Sequence, residues 1–177
     1  MTGKVLKEHY AYEKNGSCTL LAALAPLTGQ RLGLVRTQRT KKEYSEFCQA
    51  LVAAWPEANK IRLVQDNLNT HNASSFYEHL PAEEAFALAQ KIEFHYTPKS
   101  ASWLNIIEIE CSALARECLH RRIPSQEMLA REVLALVKER AAQQLKINWQ
   151  FSIKTARKKL NSHYSRVNAE NNQYKDI

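Results

Sequence analysis

The segment IRLVQDNLNTH, residues 61–71, contains the strongest clue to the architecture of this chain. Ile61–Gln65 is short, apolar and rich in β-formers, so it is typical of an interior strand. Asp66 follows at its carboxyl end, where a polar loop begins. Ligand sites in open α/β sheets gather at such strand ends. Asp66 is therefore a candidate functional residue, although an acidic residue in this position also commonly begins a turn.

Upstream of this strand, the pattern predicts a β-hairpin followed by a helix. The apolar run Cys18–Ala25 has high helix propensity, but its short length and its flanking turn signals favour a strand. After a turn, Gln30–Thr37 is predicted to pair antiparallel with it. From Lys41, apolar residues recur at helical spacing behind Thr40, a candidate N-cap, and Pro56 closes this helix.

Downstream, helices alternate with one further strand. Ala73–Lys91 has a helical pattern that is broken near Pro81, and Ile92–Tyr96 is predicted to be a strand. Two further helices are predicted at Ser102–Leu119 and Ser125–Leu145. This order of elements predicts an α/β fold, a mixed sheet flanked by helices, with the strand of the opening segment inside the sheet.

The composition is that of one globular domain. The chain has 177 residues, of which 45% are hydrophobic and 24% charged, which is enough for a single core. The apolar stretch from Cys18 to Gln30 is too short to cross a membrane and contains Pro26. We expect no membrane association and a cytoplasmic location. Residues 1–16 form a polar lead-in, and residues 165–177 a polar tail that is expected to fray.

The four cysteines show no CxxC spacing. Cys111 and Cys118 lie seven positions apart on a predicted helix, which separates them by roughly 10 Å and puts a disulfide out of reach. We interpret all four cysteines as reduced and mostly buried, with a zinc site as the alternative.

Two glutamates, Glu108 and Glu110, lie in an apolar segment with a helical pattern. Carboxylates are uncommon in an apolar segment unless they face solvent, a partner or a metal ion. Because residues two positions apart on a helix differ by about 200° in direction, the two side chains cannot share one site. One of them is expected to face solvent.

Two strings of residues resemble a known family. VQDNLNTH at 64–71 and FHYTPKSASWLNIIE at 94–108 closely resemble the catalytic blocks of bacterial insertion-sequence transposases of the mariner superfamily. The similarity runs from about Tyr10 to Tyr164 and includes YEKNG at 12–16 and CLHRRIP at 118–124. It implies an RNase H-like DDE catalytic domain over residues 17–164.

By motif match, Asp66 and Glu108 correspond to the family's second and third metal-binding, catalytic carboxylates, which leaves Glu110 as the solvent-facing glutamate. The resemblance implies a site for two Mg²⁺ or Mn²⁺ ions about 4 Å apart, which position the attacking group and stabilise the leaving oxygen in DNA cleavage and strand transfer. It also suggests supporting roles for Asn67, His71 and Asn105. A surface histidine and a helix-capping asparagine are the alternatives for His71 and Asn105.

The sequence departs from the family at the first carboxylate. Its only aspartates are Asp66 and Asp176, and neither Glu8 nor Glu13 follows a strand-like run. We therefore expect an N-terminally truncated domain that lacks the first strand, binds metal weakly or not at all, and is inactive alone. One alternative is a non-catalytic DNA-binding or regulatory fragment that associates with full-length transposase, and another is an unrelated nuclease that uses Glu8 or Glu13.

The expected partners are the DNA of the transposon ends and target, and a second polypeptide. A net charge of +7 and a pI near 9.3 favour a polyanion. The open sheet edge left by a missing strand predicts a homodimer or reduced stability. Two basic runs are expected to contact phosphates, whereas in isolation each would be a solvated helix face. Their residues are Arg116, Arg121, Arg122, Lys154, Arg157, Lys158 and Lys159.

Overall fold

The computed structural model describes residues 17–97, 105–148, 152–155 and 158. The chain divides into two compact units, Met1–Leu145 and Lys146–Ile177. In the second unit, the described residues include a helical turn at 153–155, where the Thr155 amide donates to Ser152 Oγ at 3.1 Å. No helix in the described part of the chain is long and apolar enough to cross a membrane. The lead-in at 1–16 and the tail at 165–177 lie outside the described residues.

The described part of the first unit begins with the predicted antiparallel hairpin. Strand β1 (Thr19–Leu24) pairs with β2 (Arg31–Arg36), so that Leu24 lies opposite Arg31. Gly29 in the connecting turn has a φ of +80°, and a Cβ there would lie 2.5 Å from the carbonyl carbon of Gln144. Glycine is therefore required by both the left-handed backbone and the close approach.

Helix α1 (Lys41–Ala54) begins and ends as the sequence predicted. Thr40 Oγ1 accepts a hydrogen bond from the Lys42 amide at 3.2 Å, and the Glu43 carboxylate accepts one from the Thr40 amide at 2.8 Å. These reciprocal bonds satisfy backbone donors that the first helical turn leaves without partners.

A parallel strand pair follows, with two helices in its crossover. Strand β3 (Ile61–Gln65) pairs with β4 (Ile92–Tyr96) in register from Ile61 opposite Ile92. Between them lie α2 (Ser74–His79) and α3 (Ala82–Lys91), which are separated near Pro81 as predicted. A parallel pair needs such a crossover, because a short turn cannot bring the chain back to the same end.

The last two helices of the unit are α4 (Ile107–Glu117) and α5 (Gln126–Ala142). The predicted serine cap of α5 is confirmed, since Ser125 Oγ accepts a hydrogen bond from the Met128 amide at 3.2 Å. The part of the predicted fourth helix before residue 105 lies outside the described residues.

Two hydrophobic clusters hold these elements together. One joins α1, α2 and α3 to the β3–β4 pair, and the other joins α4 and α5 to the hairpin. The first contains Tyr44, Cys48, Phe76, Ala85, Leu88 and Ile92. The second contains Leu114, Cys118, Val133 and Val137, with Leu20 of β1 packed against it.

The described residues confirm the predicted α/β fold of strands and helices, but they do not form the one mixed sheet that the sequence predicted. They form two separate two-stranded sheets, β1–β2 and β3–β4. Strand β3 is hydrogen-bonded to β4 alone, so it is not an interior strand of the described sheet. Among the described residues, no strand lies between β1 and β3, so no backbone hydrogen bonds join the two pairs.

The cysteine prediction is partly wrong. All four are free thiols, as expected, but Cys18 and Cys111 are exposed, and Cys48 and Cys118 are buried. Burial raises the pKa of the Cys48 thiol to about 12, so this thiol is unreactive at neutral pH.

Candidate active site

A cleft of about 590 Å³ lies between β1 and β3. All six residues of β1 line it, and so do Arg62–Gln65 of β3 and Asp66. Side chains from α1 and the beginning of α4 close its sides, among them Tyr44, Phe47 and Ile107. The cleft therefore lies between one strand of each small sheet, within the first unit.

The structure brings Asp66 and Glu108 to this same cleft. Asp66 follows the last residue of β3, and its side chain is 39% exposed. Glu108 lies in the first turn of α4 and is exposed. Its side chain makes no hydrogen bond or ion pair to the residues that the structure describes. A carboxylate in the first turn is favoured by the partial positive charge at a helix N-terminus. Both carboxylates are accessible from the cleft and suited to binding a hard cation.

His71 contacts Asp66 directly. Its Nδ1 lies 2.6 Å from Asp66 Oδ1, and its ring stacks on Tyr44 with centroids 4.8 Å apart. Nε2 is buried and has no hydrogen-bond partner in the described part of the chain. An imidazole that donates from Nδ1 orients one carboxylate oxygen and leaves Oδ2 of Asp66 available to another ligand. His71 is therefore no simple surface histidine.

The loop that carries His71 is fixed to the strand ends. The His71 carbonyl oxygen accepts hydrogen bonds from Gln65 Nε2 at 2.8 Å and from the Tyr96 hydroxyl at 3.0 Å. The Tyr44 hydroxyl donates to Gln65 Oε1 at 2.8 Å. Burial raises the pKa of the Tyr44 phenol, which therefore remains protonated as a donor. These hydrogen bonds connect the His71 backbone to the buried Gln65 and Tyr44 side chains, and they fix the position of the Asp66–His71 pair.

Glu110 lies elsewhere and is not the solvent-facing residue that the sequence predicted. Its side chain is 2% exposed and forms ion pairs with Arg31 and Arg140, each through an Nε–Oε1 distance of 2.8 Å. Burial opposes ionisation, but the two guanidinium groups outweigh it and lower the pKa of Glu110. Arg31 comes from β2 and Arg140 from α5, so the partners are distant in sequence. Glu108, two residues earlier, is the exposed one.

The supporting asparagines differ in position. Asn67 is exposed beside Asp66. Asn105 lines the cleft. Its Oδ1 also accepts a long hydrogen bond of 3.4 Å from the Ile107 amide at the beginning of α4, which is the capping contact given above as the alternative. Two cleft arginines were not anticipated, Arg39 and Arg62. The sequence signal that could have indicated them is their position, since Arg39 lies directly before α1 and Arg62 lies in β3.

The basic residues expected to contact DNA lie in both units. Arg116, Arg121 and Arg122 are exposed at the end of α4 and just after it, and Arg121 pairs with Glu132 of α5. Lys154 and Lys158 are exposed in the second unit. Arg157 and Lys159 lie outside the residues whose side chains are described.

The number of acidic ligands is short of a complete metal centre. Within the described ranges there is no group of three or more His, Cys, Asp or Glu side chains that could hold a metal ion. The oxygen donors of Asp66 and Glu108 suit Mg²⁺, but two carboxylates are one fewer than the resemblance implies. The described side chains therefore supply two of the three carboxylates that the resemblance implies.

Comparison with known proteins adds one match. Residues 1–130 match a family model described as DDE superfamily endonuclease. No curated protein and no solved structure matches the chain significantly.

Proposed function

The chain belongs to the DDE superfamily endonucleases, because the match covers residues 1–130 of its 177, and from this premise we propose that it is part of a transposase catalytic domain. Endonucleases of this family act on DNA and generally use divalent metal ions. The proposed finer type is the bacterial insertion-sequence transposase of the mariner superfamily, with an RNase H-like core over residues 17–164.

One observation supports this proposal above the others. Asp66 and Glu108, far apart in sequence, line the same cleft from the end of β3 and the beginning of α4. We propose that they are two of the carboxylates that hold Mg²⁺ or Mn²⁺. When bound, such ions activate the attacking oxygen and stabilise the leaving oxygen of a phosphodiester.

The surrounding side chains have defined roles in this proposal. His71 holds Asp66 Oδ1 through its 2.6 Å contact and leaves Oδ2 for the cation. Arg39 and Arg62 line the cleft and supply positive charge for a phosphate group. The Arg62 side chain is 79% exposed, and its ion pair with Glu93 at 3.5 Å is weak because solvent screens it. The Arg62 guanidinium therefore remains available to DNA.

The proposal also includes an incomplete carboxylate set. Residues 1–65 contain no aspartate, so the residue type that supplies the family's first carboxylate is absent before Asp66. With two carboxylates, the repulsion between two divalent ions about 4 Å apart is poorly offset. The chain alone is therefore expected to bind Mg²⁺ weakly and to leave DNA intact.

The test is a titration of Mn²⁺, followed by its electron paramagnetic resonance signal. The proteins are the wild-type chain, Asp66→Asn, Glu108→Gln and the control Glu117→Gln, whose carboxylate is also on α4 but is 46% exposed outside the cleft. We expect weak binding that is reduced at least about tenfold by either cleft substitution, since each removes a charged ligand, and is unchanged by the control. Binding that both cleft substitutions leave intact would remove the site assignment.

A nicking assay on supercoiled DNA tests the second half of the proposal. The wild-type chain is expected to leave the plasmid intact. Nicking that is abolished by Glu13→Gln would show that the chain supplies its own third carboxylate. Inhibition of an active relative by this chain, without metal binding at Asp66, would instead favour the regulatory alternative.

A further inference from the structure

The first turn of α4 is anchored at one residue. Among residues 107–110, which form this turn, Glu110 alone is buried, whereas Glu108 and Ile109 are exposed. Because positions two apart on a helix differ by about 200° in direction, the Glu110 and Glu108 side chains leave α4 on nearly opposite sides. The contacts that hold Glu110 therefore also set the direction in which Glu108 points.

Glu110 is held by two arginines from two different elements. Its carboxylate accepts hydrogen bonds from Nε and Nη2 of Arg31 at 2.8 and 3.1 Å, and from Nε and Nη2 of Arg140 at 2.8 and 3.2 Å. Each carboxylate oxygen thus receives a hydrogen bond from each guanidinium. Bidentate pairs of this kind have a defined geometry, so they restrict both the rotation of α4 and its movement along its axis. We call these three residues the Glu110 ion-pair cluster.

Arg31 is itself fixed, so it can serve as an anchor for α4. Its guanidinium donates to the carbonyl oxygens of Gly29 at 2.6 Å, Arg140 at 3.3 Å and Leu145 at 2.8 Å. The hairpin turn, α4 and the end of α5 therefore meet at one group of buried charges. Further along α4, Leu114 packs in an apolar cluster, but apolar contacts are non-directional. The ion pairs are accordingly the contacts that define the rotation of α4.

We propose that Glu110 is a positioning residue, which directs the Glu108 carboxylate into the cleft through the Glu110 ion-pair cluster. This inference rests on the proposed function, in which Glu108 binds the metal ion. A side chain extends about 6 Å from a helix axis, so a rotation of α4 by about 30° would displace the Glu108 carboxylate by about 3 Å. Mg²⁺ binds oxygen at about 2.1 Å and demands nearly ideal geometry. A displacement of this size would therefore remove Glu108 from the metal ligands.

Two pairs of matched variants test this role through their Mn²⁺ affinity. Glu110→Gln and Arg140→Gln each break the Glu110 ion-pair cluster. Their controls are Glu117→Gln on α4 and Arg131→Gln on α5, which remove the same charges at exposed positions outside the cluster. We expect the Mn²⁺ dissociation constant to rise at least about fivefold for both cluster variants and to stay unchanged for both controls. Equal constants for the cluster variants and the controls would overturn the inference.

The opposite charges of the two cluster residues separate positioning from electrostatics. Loss of the Glu110 charge by itself would weaken the binding of a cation, whereas loss of the Arg140 charge by itself would strengthen it. A displaced Glu108 weakens binding in both variants, so stronger Mn²⁺ binding by Arg140→Gln would contradict the proposal. Arg140→Gln leaves Glu110 paired with Arg31, and the Arg140 side chain is 17% exposed. This variant is therefore expected to fold even if Glu110→Gln does not.

A double-mutant cycle tests whether the cluster acts through Glu108. If it does, Glu108→Gln combined with Arg140→Gln should bind Mn²⁺ as weakly as Glu108→Gln alone, to within about twofold, because no ligand remains to be displaced. Additive losses would show an effect that bypasses Glu108 and would exclude the positioning role. Mn²⁺ affinity that Glu108→Gln leaves unchanged would instead contradict the proposed function, and the position of α4 is then decided without metal.

The two exposed cysteines permit that measurement without metal. Cys18 lies directly before β1 and Cys111 lies on α4, whereas the other two cysteines are buried. Spin labels on Cys18 and Cys111 therefore report the position of α4 relative to the hairpin by pulsed electron paramagnetic resonance. The label distance should shift or broaden by about 1–2 Å in Arg140→Gln and match wild type in Glu117→Gln. Identical distances in folded wild type and Arg140→Gln would refute the positioning role, whatever the Mn²⁺ affinities.

Discussion

Replacing Glu110 by alanine should be one of the most destabilising single changes in this chain. The Glu110 carboxylate accepts from Arg31 at 2.8 and 3.1 Å and from Arg140 at 2.8 and 3.2 Å. The Arg31 and Glu110 side chains are each 2% exposed. The substitution therefore leaves a buried guanidinium without its counter-ion, in addition to a cavity.

The expected magnitude follows from these contacts. Removing one partner of a buried ion pair costs about 3–5 kcal/mol. Arg31 also donates to the carbonyl oxygens of Gly29 at 2.6 Å, Arg140 at 3.3 Å and Leu145 at 2.8 Å, which still partly solvate its charge. The loss for Glu110→Ala should accordingly lie near the lower limit, about 3 kcal/mol.

Two variants on the same helix are the controls. Glu117→Ala removes a half-exposed partner of Arg140 at 3.3 Å and should cost at most about 1 kcal/mol. Glu108→Ala changes an exposed cleft residue and should stay within about 0.5 kcal/mol of wild type. The free energy of unfolding is measured by urea titration at constant m-value. A cost for Glu110→Ala no larger than that of Glu117→Ala would refute the reasoning.

Three further predictions concern backbone, cap and pH. Gly29→Ala should lower the free energy of unfolding by at least about 2 kcal/mol, because the new Cβ would lie 2.5 Å from a Gln144 backbone atom at positive φ; an unchanged melting temperature would contradict this. Thr40→Ala should cost about 1 kcal/mol through loss of the capping box with Glu43, with thermal unfolding as the check. The pKa of Glu110 is lowered by folding, so its contribution is complete above the unfolded pKa of about 4.3 and is lost as the pH falls through the folded pKa. Wild type should therefore lose more stability on acidification below about pH 4 than Glu110→Gln, and parallel curves would exclude the linkage.

The local elements were predictable from the sequence because their causes are local. The hairpin, Ile61–Gln65, Ile92–Tyr96 and the helix behind Thr40 agree with the structure to within about two residues. Each depends on periodicity, a cap or a turn, all of which act over a few positions. The grouping of Asp66 with Glu108 came from the resemblance, and the structure brings both to one cleft.

The error at Glu110 shows what local reasoning omits. Helical periodicity correctly separated Glu108 from Glu110 but did not say which one was buried. That choice depends on Arg31, 79 positions upstream, and Arg140, 30 positions downstream. The role of His71 was similarly open until its Asp66 contact and its stacking on Tyr44 of α1 were known.

By itself, the sequence determined the strands and helices of this protein, its basic charge and the two acidic residues that match a family motif. Only the tertiary structure decided which glutamate is neutralised by two arginines, and that β1 and β3 line one cleft without pairing with each other in the described part of the chain. Secondary structure follows from short-range periodicity, whereas strand pairing and charge burial depend on contacts between residues far apart in the chain, which no local pattern specifies.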